Sequence, residues 1–82
     1  MSDIDFVPVR RQRLSEELAE RIMGLIAAGR LRPGDQLPSI AGMARAFRVA
    51  PATVREALVR LETKRVVEIR QGAGVFVVAS AA

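Results

Sequence analysis

Arginine supplies most of the chemistry that this sequence offers. Thirteen of the 82 residues are basic and nine are acidic, and twelve of the thirteen are Arg, with Lys64 the single Lys. A guanidinium group can donate to two acceptors at once, which suits phosphate groups and the edge of guanine. An Arg-rich, Lys-poor composition is also typical of GC-rich genomes. The composition therefore leaves a nucleic-acid partner and a solvated basic surface as equal alternatives.

The distribution of charge and the missing residue types narrow the function classes. Asp3 and Asp5 lie in residues 1–9, so the rest of the chain has thirteen basic and seven acidic residues, a net +6. There is no Cys, His, Tyr or Trp. Disulfides, thiolate or imidazole metal sites and imidazole acid–base catalysis are thereby excluded. We expect a protein that is not an enzyme and that uses no cofactor or metal.

The length allows one small domain, and the half of the residues that are hydrophobic can form its core. Apolar runs fall far short of the roughly 20 residues that span a bilayer. The N-terminal sequence MSDIDFVPVR is acidic and interrupted by Pro8, unlike a signal peptide, which predicts a cytoplasmic protein. We expect a flexible tail over residues 1–10, a domain over 11–79 and a short C-terminal end over 80–82.

Helical periodicity predicts the elements that must position the arginines. Apolar residues from Leu14 to Ile26 predict a first helix with Ser15 as its N-cap and Gly29 at its end. Ser39 is placed to cap a second helix, which ends near Phe47. A third helix begins at Pro51 and runs to about Lys64. Its expected inner face is Val54, Ala57, Leu58 and Leu61, with the outer or partly outer positions at Ala52, Thr53, Arg55, Glu56, Val59 and Arg60.

The C-terminal part predicts a β-hairpin. Residues 66–70 and 75–78 are rich in β-branched residues, and a turn with two glycines separates them. The predicted fold is α+β: a three-helix winged helix-turn-helix domain, with the helix-turn-helix at about 40–59 and a hairpin wing at about 66–78. Protein-binding modules share this topology, so topology alone does not establish DNA binding.

Several blocks at consistent spacing resemble the GntR-type family of bacterial transcription regulators. They are Leu37-Pro38-Ser39, Thr53-Val54-Arg55-Glu56-Ala57-Leu58, Leu61-Glu62 and Gly72-x-Gly74-x-Phe76-Val77. The resemblance favours the FadR-like branch, although Pro51 is similar to other branches. It implies a homodimer on a palindromic double-stranded operator, with the third helix in the major groove and the wing in the minor groove. It also implies a small-molecule effector bound by a C-terminal domain that this chain does not contain.

Residue types and family positions together nominate the DNA-binding candidates: Ser39, Arg45, Arg48, Ala52, Thr53, Arg55, Arg60, Arg70, Gly72 and Gly74. Each has a structural alternative. Arg55 could form an ion pair, Thr53 could cap the third helix, and Arg60 could pair with Glu56 four residues earlier. Arg45 and Arg48 could be merely solvated, Arg70 a strand-edge charge, and the glycines only turn formers.

Five residues at four places in the chain depart from the family pattern. Ala41, Ala50-Pro51 and Ala73 stand where the family has residues suited to DNA contact. This favours, as the alternative function, a protein-interaction module with weak, non-specific DNA binding. Arg65 stands where a Gly commonly follows the third helix. A non-glycine residue at a left-handed cap costs about 1 kcal/mol.

Overall fold

The computed structural model describes residues 8–78. Its elements are α1 (Val9–Ala27), α2 (Ile40–Phe47), α3 (Pro51–Thr63), β1 (Val67–Arg70) and β2 (Gly74–Val77). The predicted architecture, three helices followed by an antiparallel hairpin, is confirmed. Most of the expected tail lies outside the described residues, as do residues 79–82. Two residues of the expected tail, Val9 and Arg10, belong to α1.

The start of α1 differs from the prediction. Ser15 is fully buried in the middle of the helix, and its Oγ donates to the carbonyl of Gln12 at 2.9 Å. It is therefore not an N-cap; Pro8 occupies that position. The apolar period becomes visible only at Leu14, because the first turns of α1 are polar and exposed. Periodicity thus placed the helix start too late.

The three helices enclose one apolar core. The predicted inner face of α3 is confirmed, since Val54, Ala57, Leu58 and Leu61 are all buried. The hairpin closes the core through Val67 and Val77, which pair directly across the two strands. The remaining core residues come from α1, the segment before α2, α2 itself, the α3–β1 connection and β2: Leu18, Ala19, Ile22, Ile26, Leu37, Met43, Ala44, Val66 and Val75. This packing fixes α3 between α1 and the hairpin.

All three helices end in the same backbone motif. A left-handed residue follows each helix: Gly29 (φ +77°), Arg48 (φ +58°) and Arg65 (φ +61°). In each case the next residue's N–H returns to a carbonyl five positions earlier, as when Val66 donates to Leu61 at 3.0 Å. These are Schellman caps, in which Gly is the preferred left-handed residue. Arg65 therefore adopts the strained conformation considered from the sequence.

The segment before α2 forms a third strand-like edge beside the hairpin. Val77 donates to the carbonyl of Asp35 at 2.9 Å, and Leu37 donates to the carbonyl of Val75 at 2.8 Å. Ser39 then caps α2 as predicted, because its Oγ accepts from the N–H of Gly42 at 3.0 Å. The main chain thus ties the start of α2 to the wing.

Candidate nucleic-acid interface

A half-open groove of about 680 Å³ separates the outer face of α3 from the wing. Five of the DNA-binding candidates line this groove: Ser39, Arg55, Arg70, Gly72 and Gly74. The fold thus brings together residues from α2, α3 and the wing on one face.

Arg55 is the basic residue that α3 presents to this groove. It is exposed, and it forms no ion pair with any residue in the range 8–78. Its neighbour Val54 is completely buried, which fixes the backbone from which Arg55 projects. The structure therefore leaves the guanidinium available to an external acceptor.

Arg60 and Glu56 face α1 instead of each other. Arg60 Nε donates to Ser15 Oγ at 3.1 Å, and its Nη2 lies 3.6 Å from Glu16 Oε2. Glu56 Oε1 lies 3.1 Å from Arg11 Nε, an ionic contact without hydrogen-bond geometry. The Glu56–Arg60 pair, one of the alternatives that the sequence left open, does not form, because both side chains have partners within reach on α1.

The start of α3 is more buried than its pattern suggested. The side chain of Thr53 is only 2% exposed, against its expected outer position, because α3 packs closely on its neighbours there. Ala52 is half-buried. The Thr53 N–H donates to the carbonyl of Ala50 at 2.9 Å. Neither Ala52 nor Thr53 lines the groove.

Arg45 and Arg48 are exposed, as their positions off the apolar stripe of α2 predicted. They lie away from the groove. Arg48 instead borders a smaller depression with Leu14, Glu17 and Arg21 of α1. The structure therefore separates these two arginines from the residues around Arg55.

Side chains hold the wing in a defined shape. Arg70 lies over the ring of Phe76, with its Cζ 4.6 Å from the ring centroid, and donates twice to Glu68 Oε1 at 2.9 and 3.1 Å. Its guanidinium is thus partly engaged. At the wing tip, Gly72 and Gly74 have φ of +76° and +128°. These values favour glycine in any turn of this shape.

Sequence reasoning missed Gln36 as part of this site. Its Nε2 donates to the carbonyl of Ala73 at 3.0 Å, and its side chain crosses the position that a Cβ on Gly74 would occupy. Gln36 and Ala73 are far apart in the sequence, and no local pattern connects them. This amide joins the segment before α2 to the wing tip, in addition to the main-chain bonds between that segment and β2.

Two other kinds of feature, a membrane-spanning helix and a metal-binding cluster of side chains, are absent from residues 8–78. No helix within residues 8–78 is long and apolar enough to cross a membrane. The same residues contain no acidic cluster able to hold a metal ion.

Comparison with known proteins identifies the family. The model of the "Bacterial regulatory proteins, gntR family" matches residues 14–77. The chain belongs to the GntR family. A GntR-type relative, the mannosyl-D-glycerate transport/metabolism system repressor MngR of Escherichia coli (strain K12), is 41% identical over 64 residues. These residues are 78% of this chain and 27% of the repressor, so the chain spans little more than a quarter of that relative's length.

Solved structures show the same fold. A transcriptional regulator from Oenococcus oeni superposes on this GntR-family chain with a TM-score of 0.75 at 30% identity, covering 99% of this chain and 63% of that one. AraR(DBD), solved in complex with operator ORE1, superposes with a TM-score of 0.76 at 23% identity, covering 94% of this chain and 88% of that one. At 23% identity the second likeness concerns the fold alone. MngR is named as a repressor and the Oenococcus oeni protein as a transcriptional regulator.

Proposed function

We propose that this chain is a sequence-specific double-stranded DNA-binding domain that controls transcription in the bacterial cytoplasm. The observation that carries the proposal is the convergence of Ser39, Arg55 and the wing on one groove, within a GntR-family fold. In this arrangement α3 enters the major groove, where the N-terminal part of a recognition helix contacts base edges. The wing reaches the minor groove. The domain binds without catalysing a reaction.

The place of each DNA-binding candidate in the fold indicates the kind of contact that we propose for it. Arg55 is the residue proposed to read a base or grip a buried phosphate, with Ser39, Gly72 and Gly74 approaching the backbone. Ala52 and Thr53 lie in the first turn of α3 and would contribute chiefly main-chain contacts. We retain Arg45, Arg48 and Arg70 as phosphate contacts. Arg60 projects from α3 toward α1, where it donates to Ser15, so the proposal gives it a structural role and no DNA contact.

The assembly is part of the proposal. Two copies on a palindromic operator would present two α3 helices to successive major grooves, about 34 Å apart. The Thr53–Leu58 block favours the FadR-like branch of the family. The relatives are longer than this chain, so response to a small-molecule effector is proposed to reside in a C-terminal domain.

The first experiment is selection from a pool of random duplexes, followed by anisotropy titration of the selected duplex and a scrambled control. We expect convergence on a palindrome and tighter binding to the selected duplex at every salt concentration. Failure to converge, with equal affinity for both duplexes, would contradict sequence-specific binding.

A protein-interaction module is the second candidate. Val59 and Ile69 are 54% and 37% exposed, and both line the groove. Exposed apolar side chains are suited to a protein surface, and Ala41 and Ala73 supply no charge. This alternative predicts DNA binding that is weak and indifferent to sequence, and the same titration distinguishes it from the first.

A further inference from the structure

The first two turns of α1 carry a basic cluster that lies outside the groove. Arg10 and Arg13 are exposed, and neither forms an ion pair with another residue of the described range 8–78. Arg11, between them, contacts Glu56 on α3. The acidic residues of α1 follow only later, at Glu16, Glu17 and Glu20. Apart from Arg21, the basic residues of α1 therefore precede its acidic residues.

Helix stability does not explain this arrangement. The N-terminus of a helix carries partial positive charge, which favours acidic residues there and disfavours basic ones. No acidic residue occurs in the first turn of α1. Arg10, in the first turn, opposes the helix dipole, and Arg13, one turn later, is exposed without an ion pair among residues 8–78, so an anionic partner would account for both positions.

Contacts between the helices place this cluster beside the start of α3. Arg11 contacts Glu56, and Ser15 contacts Arg60, so a step of four residues on α1 matches a step of four on α3. The two helices therefore run side by side in the same direction. Their first turns lie at the same end of the domain, which is the end that α3 presents to the major groove in the proposed function.

The wing lies on the opposite flank of α3. The N–H of Ile69 on β1 donates to Glu62 Oε2 at 3.1 Å, and Arg55 and Val59 line the groove that faces the wing. Packed helices lie 8–10 Å apart, and the major groove is about 12 Å wide. When α3 occupies the DNA major groove, the wing extends past one of the two sugar-phosphate strands that border it. The start of α1 then lies over the other strand.

We propose that Arg10 and Arg13 form a phosphate-binding surface that grips the strand opposite the wing. The surface would hold α3 in register from both sides without reading sequence, as phosphate contacts do. This inference rests on the proposed function, because it requires α3 to enter the major groove.

The test compares the full chain with Arg10→Gln/Arg13→Gln on the selected duplex and on a scrambled duplex over a range of salt. Arg21→Gln/Arg30→Gln is the matched control, since it removes two exposed charges elsewhere on α1 and just after it. Loss of two phosphate contacts lowers the slope of log K against log salt by about 1.8 and weakens binding about thirtyfold at 0.15 M salt. We expect this on both duplexes, with a much smaller change in the control.

Thermal melting separates this effect from misfolding. Because Arg10 opposes the helix dipole and neither arginine forms an ion pair within residues 8–78, Arg10→Gln/Arg13→Gln is expected to melt at an equal or slightly higher temperature than the unaltered protein. A salt slope equal to that of the control variant would overturn the inference while leaving the proposed function intact. Failure of the unaltered protein to prefer the selected duplex would instead count against the proposed function.

Discussion

Arg55 shows how a single position acquires its role from its neighbours. Completely buried Val54 precedes it and half-buried Glu56 follows it, so the backbone is fixed on both sides while the guanidinium stays open. Of the candidate arginines, it alone comes from α3 and faces the wing. Its DNA contact remains a prediction.

We expect Arg55→Ala to weaken binding to the selected duplex by about 1–3 kcal/mol, with little change in the melting temperature. The physical reason is the loss of a bidentate donor without loss of core packing. Anisotropy titration measures the change, and Arg32→Ala, another exposed arginine, controls for net charge. Unchanged affinity in a folded Arg55→Ala variant would remove this residue from the interface.

Single substitutions at the two glycines of the wing tip give a second prediction. Gly74→Ala would place a Cβ against the amide of Gln36 and force a side chain into φ +128°, whereas Gly72→Ala meets only backbone strain. We expect Gly74→Ala to destabilise the fold more, with strain of about 1–3 kcal/mol in either case. Thermal denaturation of both variants measures this.

A Gln36→Ala background separates the two causes. If the amide is the obstacle, Gly74→Ala costs less stability there than in the unaltered protein. An identical cost in both backgrounds would show that Gln36 does not restrict the tip.

The helices illustrate what the sequence could and could not predict. Core stripes, the Ser39 cap and the Gly29 stop were readable, because each depends on residues a few positions apart. The start of α1 was not, because polar turns carry no apolar period. The partners of Glu56 and Arg60 and the burial of Thr53 were also missed, since the packing of α1 against α3 determines them. Local patterns thus gave the elements, and only the tertiary structure gave their contacts.

Arg65 gives a test at the scale of an element. It takes the left-handed position of the α3 cap, where glycine avoids the clash of a Cβ with the backbone. We expect Arg65→Gly to stabilise the protein by about 0.5–1 kcal/mol, the relief of strain being partly offset by the greater freedom of glycine when unfolded. Chemical denaturation measures the difference. Arg65→Ala is the control, because it removes the charge and keeps the strain; equal gains in both variants would mean that charge, not conformation, is responsible.

Arg60 tests the junction between α1 and α3. Arg60→Ala removes the donor to fully buried Ser15, and such a hydrogen bond contributes about 1 kcal/mol. In a domain of this size that loss lowers the melting temperature by about 4–8 °C. We expect the lower melting temperature together with a smaller loss of DNA affinity than Arg55→Ala produces. The reverse order of the two affinities would restore Arg60 as a direct contact.

The proposed two-fold symmetric dimer predicts how many chains bind to each operator. If two copies read a palindrome, a duplex with both half-sites should bind two chains, and one with a single half-site should bind one. Sedimentation velocity of the two complexes measures the number of chains directly. One chain on the full palindrome, at saturating protein, would contradict the proposed dimer.

The hydrogen bond from Gln36 to the wing tip affects whether the protein or the DNA must change shape when they bind. The wing is held by its strand pairing, by main-chain bonds to Asp35 and Leu37, and by this amide, so it has little freedom to follow an irregular duplex. On the proposed interface, the deformation would fall on the nucleic acid. Flexible pyrimidine–purine steps bend at low energetic cost, and stiff A-tracts do not. The domain should therefore discriminate among base pairs that no side chain touches, through the mechanical compliance of the operator.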